Sequence, residues 1–327
     1  MVRKVEVTLL SQEDIEKAAP PRGDILRIVE DTYRMMGRAE AEVPTKIGVH
    51  PDRPGSFCHA MPAWVRPAGA LGMKWVAYYP GNLARGLPDS TAIIVLNDPA
   101  TGMPVALMEG MWITYARTAA CAAVAAKYLC NPGPARLALV GCGGLGGWSL
   151  AMLSEVFPTL GEVRVASRTE ESRREFCSRM AQQGPWSRRP VERLEDAVRG
   201  ADIVVSSIPQ GPNPPLRAQW WSAGAVAIPL DVTAAWDAES FAKADRFVTD
   251  GYESVGRAAA RQEPRLALPQ QYVDLAQVVL GTSPGRLNER ERIMAVPSGV
   301  ATTDMTLAWE IFRRARRAGA GTPFRLS

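Results

Sequence analysis

The stretch Arg136-Leu-Ala-Leu-Val-Gly-Cys-Gly-Gly-Leu-Gly-Gly-Trp148 constrains what this chain can fold into more than any other part of it. An apolar run feeds into Gly141-x-Gly143-x-x-Gly146, and a helix-compatible sequence follows. Buried strand, glycine turn and helix, in that order, are what a dinucleotide-binding βαβ unit requires. Gly141 permits the tight turn, Gly143 lets the backbone approach a pyrophosphate, and Gly146 lets helix and strand pack closely. The helix start then offers N–H groups to the phosphates. A second strand, Glu162-Val-Arg-Val-Ala166, follows at the expected distance.

The end of that second strand bears on which dinucleotide binds. Sites for NAD usually carry Asp or Glu there, bonded to the ribose 2′-hydroxyl. Here the strand ends Ala166-Ser167-Arg168-Thr169, with Arg173 and Arg174 one turn later. A small hydroxyl beside a guanidinium suits a 2′-phosphate. Charge-assisted hydrogen bonds are worth about 1.5–3 kcal/mol each, so two of them favour NADP(H) by about 100-fold or more. NAD(H) is the alternative, because the three arginines also read as solvated charges at a helix start. Cofactor contacts are expected at Gly141, Gly143, Gly144, Leu145 and Gly146, and at Ser167, Arg168, Thr169 and Arg173. Further contacts are expected at Ser206, Ser207 and Ile208 after a later strand, and at Ser298 and Gly299.

Bulk properties exclude several classes. A chain of 327 residues, 46% hydrophobic and 22% charged, suits a two-domain or large α/β soluble enzyme. The net charge of +4 comes from scattered arginines, densest at Arg313, Arg314, Arg316 and Arg317, without the aromatic interleaving of a nucleic-acid surface. Five cysteines without CxxC spacing read as reduced thiols, and two histidines exclude a histidine-rich metal centre; no metal site is expected. The start, Met1-Val-Arg-Lys-Val-Glu-Val, lacks the apolar core of a signal peptide. The longest apolar window, Met111 to Cys130, is interrupted by Arg117 and Lys127 and does not span a membrane. These features point to a soluble, cytoplasmic protein.

Residues 11–40 read as one helix, with Ser11 as N-cap and Ile25, Ile28, Val29, Tyr33 and Met36 at helical spacing. Strand-like runs follow at Lys46–His50, Ser56–Met61, Gly72–Tyr79, Thr91–Asn97 and Val105–Glu109, giving a mixed sheet. Ile113 to Leu129 is a long Ala-rich helix, which Asn131-Pro-Gly-Pro134 ends. Beyond the glycine turn, helices at 170–183 and 191–199 alternate with strands at 201–207, 226–230 and 246–248. The loop Gly211–Pro215 follows one of these strands at the end where ligands bind. Thr303 to Ala318 forms the final helix. The fold class expected is α/β: a Rossmann dinucleotide-binding domain plus a mixed α/β N-terminal domain.

Several stretches together resemble the ornithine cyclodeaminase/μ-crystallin family. They are Met73-Lys-Trp-Val76 with Tyr79-Pro-Gly-Asn82, Asn97-Asp-Pro-Ala-Thr-Gly-Met-Pro104, Ile113-Thr-Tyr-Ala-Arg-Thr-Ala-Ala120 and the glycine turn. Ser298-Gly-Val-Ala-Thr-Thr-Asp304 matches the family's late Gly-x-Ala-x-x-Asp stretch. The resemblance covers nearly the whole chain. It implies hydride transfer between a nicotinamide and the α-carbon of an amino or imino acid, and a homodimer built through the N-terminal domain. It also implies residues 1–119, joined by the C-terminal helix at 300–327, as the substrate-binding and dimerisation domain, with 120–299 as the NADP-binding domain.

Carried over by position, Lys74 and Arg117 match the family's ligands for the substrate carboxylate, and Thr118 is expected near the cofactor phosphates. Lys74 can also protonate an imine nitrogen if burial lowers its pKa. Lys46 stands where the family usually has arginine, keeping charge but not bidentate geometry. The catalytic aspartate is expected at Asp231, in Ile228-Pro-Leu-Asp231, with Asp237 as the alternative. Cyclodeaminases carry a glutamate two residues before a Met-Pro pair; here that residue is His59, ahead of Met61-Pro62. The missing glutamate and the NADP-like Arg168 favour NADPH-dependent reduction of an imino acid or ketimine, or a reversible amino-acid dehydrogenase. An ornithine or lysine cyclodeaminase with tightly held NAD is the second reading, and a μ-crystallin-like NADP-binding protein the third.

Overall fold

The computed structural model describes residues 5–184, 186–209, 211 and 214–326. Pro212 and Asn213 of the expected ligand-side loop, and residues 1–4 of the start, lie outside the described residues. In chain order the elements open with β1 (Glu6–Leu10), α1 (Gln12–Ala18), α2 (Arg22–Gly37), β2 (Ala41–Glu42), β3 (Ile47–Val49) and β4 (Phe57–Val65). There follow β5 (Ala70–Tyr78), β6 (Ser90–Asn97), β7 (Pro104–Glu109), α3 (Met111–Leu129), β8 (Arg136–Val140), α4 (Gly144–Val156), β9 (Glu162–Ala166) and α5 (Glu170–Arg179). Next come β10 (Ser187–Pro190), α6 (Leu194–Val198), β11 (Ile203–Ser206), β12 (Val226–Pro229), α7 (Ala238–Ala242) and β13 (Arg246–Thr249). The chain closes with α8 (Tyr252–Ala260), β14 (Val273–Asp274), α9 (Leu275–Leu280), β15 (Ile293–Val296), α10 (Ala301–Arg317) and β16 (Thr322–Arg325).

The chain divides into two compact units, residues 1–117 with 300–327, and residues 118–299. In the first, an eight-stranded mixed sheet runs β16-β1-β7-β6-β5-β4-β2, with β3 on β4; β1 and β7 are parallel and the other pairs antiparallel. Its strands alternate. In β5, Ala70, Gly72 and Lys74 are buried while Trp75 is exposed, the period-two pattern of a sheet covered on one face. Helices α2 and α10 pack together, α10 lies against β4 and β5, and Thr32 and Thr306 share a buried hydroxyl pair at 2.8 Å.

The single helix expected over 11–40 is two helices. Pro20 and Pro21 separate them: proline lacks the N–H of the helical ladder, and it forces the preceding Ala19 to an extended ψ of 137°. Ser11 does cap the first of them, in a full capping box with Asp14.

The second unit holds an all-parallel sheet, β10-β9-β8-β11-β12-β15-β13-β14. β11, β12 and β15 are buried at every position, as strands covered on both faces must be. The chain starts at β8, builds outward to β10, then crosses back to β11. The C-terminal ends of β8 and β11 therefore form the topological switch point, where open α/β sheets bind ligands. Among the described residues no helix is long and apolar enough to cross a membrane, all five cysteines are free, and no acid, histidine or cysteine cluster could hold a metal.

Candidate active site

In the first unit, strand alternation turns Lys74 to the buried face of the sheet, between Met61 of β4 and Ile94 of β6. Its Nζ donates to Asp304 Oδ1 at 2.8 Å and to Thr114 Oγ1 at 3.3 Å. Arg117 Nε, from α3, donates to the same Asp304 oxygen at 2.8 Å. Lys74 is 1% exposed and Asp304 is fully buried. Burial, then the neighbouring Arg117 charge, lowers the Lys74 pKa to about 7, while Asp304 opposes the fall and Lys46 adds to it. Two buried cations share one carboxylate, with Lys46 a further positive charge acting on Lys74. A guanidinium and an ammonium side by side are groups that hold a carboxylate.

His59 lies on the same sheet face, opposite Val76 and two register positions from the Met61–Lys74 pair. Its ring stacks on Phe57 with centroids 4.1 Å apart and meets His50 edge-on at 6.0 Å. Gly48 sits across from it in β3, where a Cβ would come within 2.2 Å of the His59 ring. Phe57, His59 and Met61 of β4 share this face with Lys74, Val76 and Tyr78 of β5, and none of the six is acidic.

In the second unit the glycine turn has the three properties a pyrophosphate site needs. Gly141 has φ +118°, a region open to glycine, and its N–H donates to the Ala166 carbonyl at 2.9 Å. Gly143 has nothing within 4 Å of where a Cβ would stand. At Gly146 a Cβ would meet the Gly141 carbonyl oxygen at 2.3 Å, so helix and turn touch. Gly144 and Leu145 open α4, whose N-cap, Gly143, offers no side-chain acceptor to the first N–H groups. The hydroxyls of Ser206 and Ser207 lie buried at the end of β11. These observations fit a dinucleotide cradle.

At the end of β9, Arg168 is exposed. Arg173 is buried, its Nη1 donating to the Ser167 carbonyl at 2.9 Å, so it braces the strand end. Ser167 and Ser172 share a hydroxyl pair at 2.8 Å, and Thr169 caps α5 by accepting from Ser172 N–H at 3.2 Å. The Ser298 N–H donates to Asp250 Oδ1 at 2.6 Å, and Gly299 follows with φ +78°. Thr118 is half-buried, one residue beyond Arg117 in α3.

Asp231 follows β12, and its Oδ2 accepts from the Ile208 N–H at 3.2 Å while Oδ1 is buried. Burial pushes its pKa up to about 6, against the hydrogen bonds it accepts. The next residue, β-branched Val232, has φ +62°, a conformation costing roughly 1–3 kcal/mol that clusters at functional sites. Asp237, the alternative, instead caps α7, accepting from the Ser240 N–H at 3.0 Å.

Sequence reasoning left two members of the carboxylate cluster without a role, Asp304 and Thr114. Asp304 was legible as the end of the Gly299-Val-Ala-Thr-Thr-Asp304 stretch, though without a role; Thr114 carried no signal of its own.

Residues 5–319 match the ornithine cyclodeaminase/mu-crystallin family. The nodulation efficiency protein NfeD of Rhizobium meliloti is 31% identical over 97% of this chain and 98% of its own. An archaeal alanine dehydrogenase dimer with bound NAD superposes with a TM-score of 0.89 at 27% identity, covering 99% of this chain and 100% of that one. The Δ1-pyrroline-2-carboxylate reductase of Thermococcus litoralis, in complex with NADH and L-proline, superposes at 0.86 and 27% identity, covering 97% and 99%. With this match, nearly end to end, the chain belongs to the ornithine cyclodeaminase/mu-crystallin family and is an oxidoreductase.

Proposed function

We propose that this enzyme reduces the C=N bond of an imino acid or ketimine to the amine, using NADPH in preference to NADH, and runs the reverse dehydrogenation when the amino acid is in excess. The observation that carries the reading is the buried Lys74–Asp304–Arg117 cluster, two cations on one carboxylate oxygen. The α-carboxylate of the substrate docks against it, held by Arg117 and Lys74 with Lys46 in support. NADPH, when bound, supplies the hydride that adds to the α-carbon.

The nitrogen must gain a proton in the same turnover. Lys74, with its pKa near neutrality, is a matched donor; Asp231, raised to about 6, is the alternative. The preference for NADPH rests on exposed Arg168 beside Ser167 and on the lack of an acid at that strand end. A cyclodeaminase needs a carboxylate for the distal amine of ornithine or lysine, and the face carrying His59 offers none on β4 or β5. The outward face of the first sheet supports a homodimer: Ile47, Trp75 and Ile93 are 65%, 37% and 47% exposed and lie in one cross-strand row with Ala60.

The test is Arg117→Ala. Its kcat/KM for an imino acid falls by about 100-fold or more, as expected for a lost charge-assisted bidentate contact, while NADPH affinity is unchanged. Equal activity would remove Arg117 from the site.

A further inference from the structure

We propose that Asp304 is a positioning residue of the carboxylate site, one of its oxygens holding Lys74 and Arg117 side by side as a cradle for a single anion. The inference rests on the amino- or imino-acid reading for the identity of that anion.

Two donors converge on Asp304 Oδ1 at 2.8 Å each, from a strand and a helix far apart in sequence. Two buried cations this close repel, and Asp304 stands where it offsets that repulsion. The other groups around Lys74 do not help: Arg117 and Lys46 are cations, Thr114 is neutral, Met61 and Ile94 are apolar, and His59 is two register positions away. Among the largest influences on Lys74, Asp304 is the one anion.

The second carboxylate oxygen, Oδ2, is buried without a hydrogen-bond partner among the described residues. A buried acceptor without a partner is costly, and such a group in a folded protein calls for an explanation. Asp304 also stands in the first turn of α10, where a negative charge is favoured by the helix dipole. Asp304 touches no substrate in this account; it acts through the two cations.

The experiment is Asp304→Asn in the full-length protein, which keeps the shape and removes the charge. NADPH affinity stays within about twofold, because the glycine turn is untouched, while the dissociation constant of pyruvate, used as a carboxylate probe, and the KM for an imino acid each rise about 10-fold or more. The upper limb of the kcat/KM pH profile moves to lower pH, since Lys74 loses the anion that retains its proton. A merely structural role would lower the melting temperature and leave that limb in place.

A folded D304N variant with unchanged pyruvate affinity and an unchanged limb overturns the proposal. If D304N does not fold, a crystal structure of the unaltered protein decides. Both cations on one carboxylate oxygen supports the proposal, and a carboxylate turned away from either overturns it. Unaltered protein that reduces no imine counts against the reaction assigned above, and the pyruvate and crystallographic arms still judge Asp304.

Discussion

Gly146 meets the carbonyl oxygen of Gly141 so closely that a Cβ at 146 would lie 2.3 Å from it, whereas at Gly143 a Cβ would meet nothing within 4 Å. The two glycines of one motif therefore do different work. Gly146→Ala forces the helix off the turn and lowers stability by about 1–3 kcal/mol, as overpacking does, read in urea unfolding. Gly143→Ala unfolds like the unaltered protein but loses about 10-fold or more in NADPH affinity by fluorescence titration, because the methyl stands where the pyrophosphate approaches.

The pH dependence follows from Lys74. With a pKa lowered to about 7, its ammonium is present below that pH and lost above it. An ammonium that binds the carboxylate and donates the proton makes kcat/KM fall as pH rises through about 7. The measurement is the pH profile of imine reduction, expected to hold on the acid side and decline on the basic side. A profile flat through that region contradicts the role given to Lys74.

Arg168 and Arg173 separate cleanly. Arg168 is exposed at the end of β9, and Arg173 is buried against the Ser167 carbonyl. On the proposed NADPH preference, Arg168→Ala lowers the NADPH-to-NADH ratio of kcat/KM by about 10-fold or more without changing the melting temperature. Arg173→Ala lowers stability as well, because it removes a brace. An unchanged cofactor ratio in R168A would argue for NADH as the natural donor.

The outward row Ile47–Ala60–Trp75–Ile93 predicts the assembly. Trp75→Glu places a charge in the middle of that row, so on the proposed homodimer light scattering after gel filtration moves from dimer to monomer mass. A monomer in the unaltered protein would contradict the dimer.

Much of the second unit was legible because its elements announce themselves locally. β9 spans Glu162–Ala166 in the structure as in the sequence pattern, and the glycine turn carries its own flanks. What was not legible depended on distant partners. Strands β1 and β16 pair with each other and β1 with β7, and nothing in either short segment signals the neighbour. β15, an interior strand of its sheet, is four residues long and follows a charged stretch. In the carboxylate cluster, Lys74 and Arg117 were reached through resemblance, whereas the shared Asp304 oxygen is a tertiary fact joining residues 230 apart in sequence.

The most direct measurement is the loss of reduced-nicotinamide absorbance with NADPH, then NADH, across cyclic imino acids and small 2-oxo acids mixed with ammonia or methylamine. The account predicts NADPH consumption on at least one imine, abolished in the Arg117→Ala variant. Silence across that panel, with ornithine or lysine instead releasing ammonia and no net cofactor change, would contradict it.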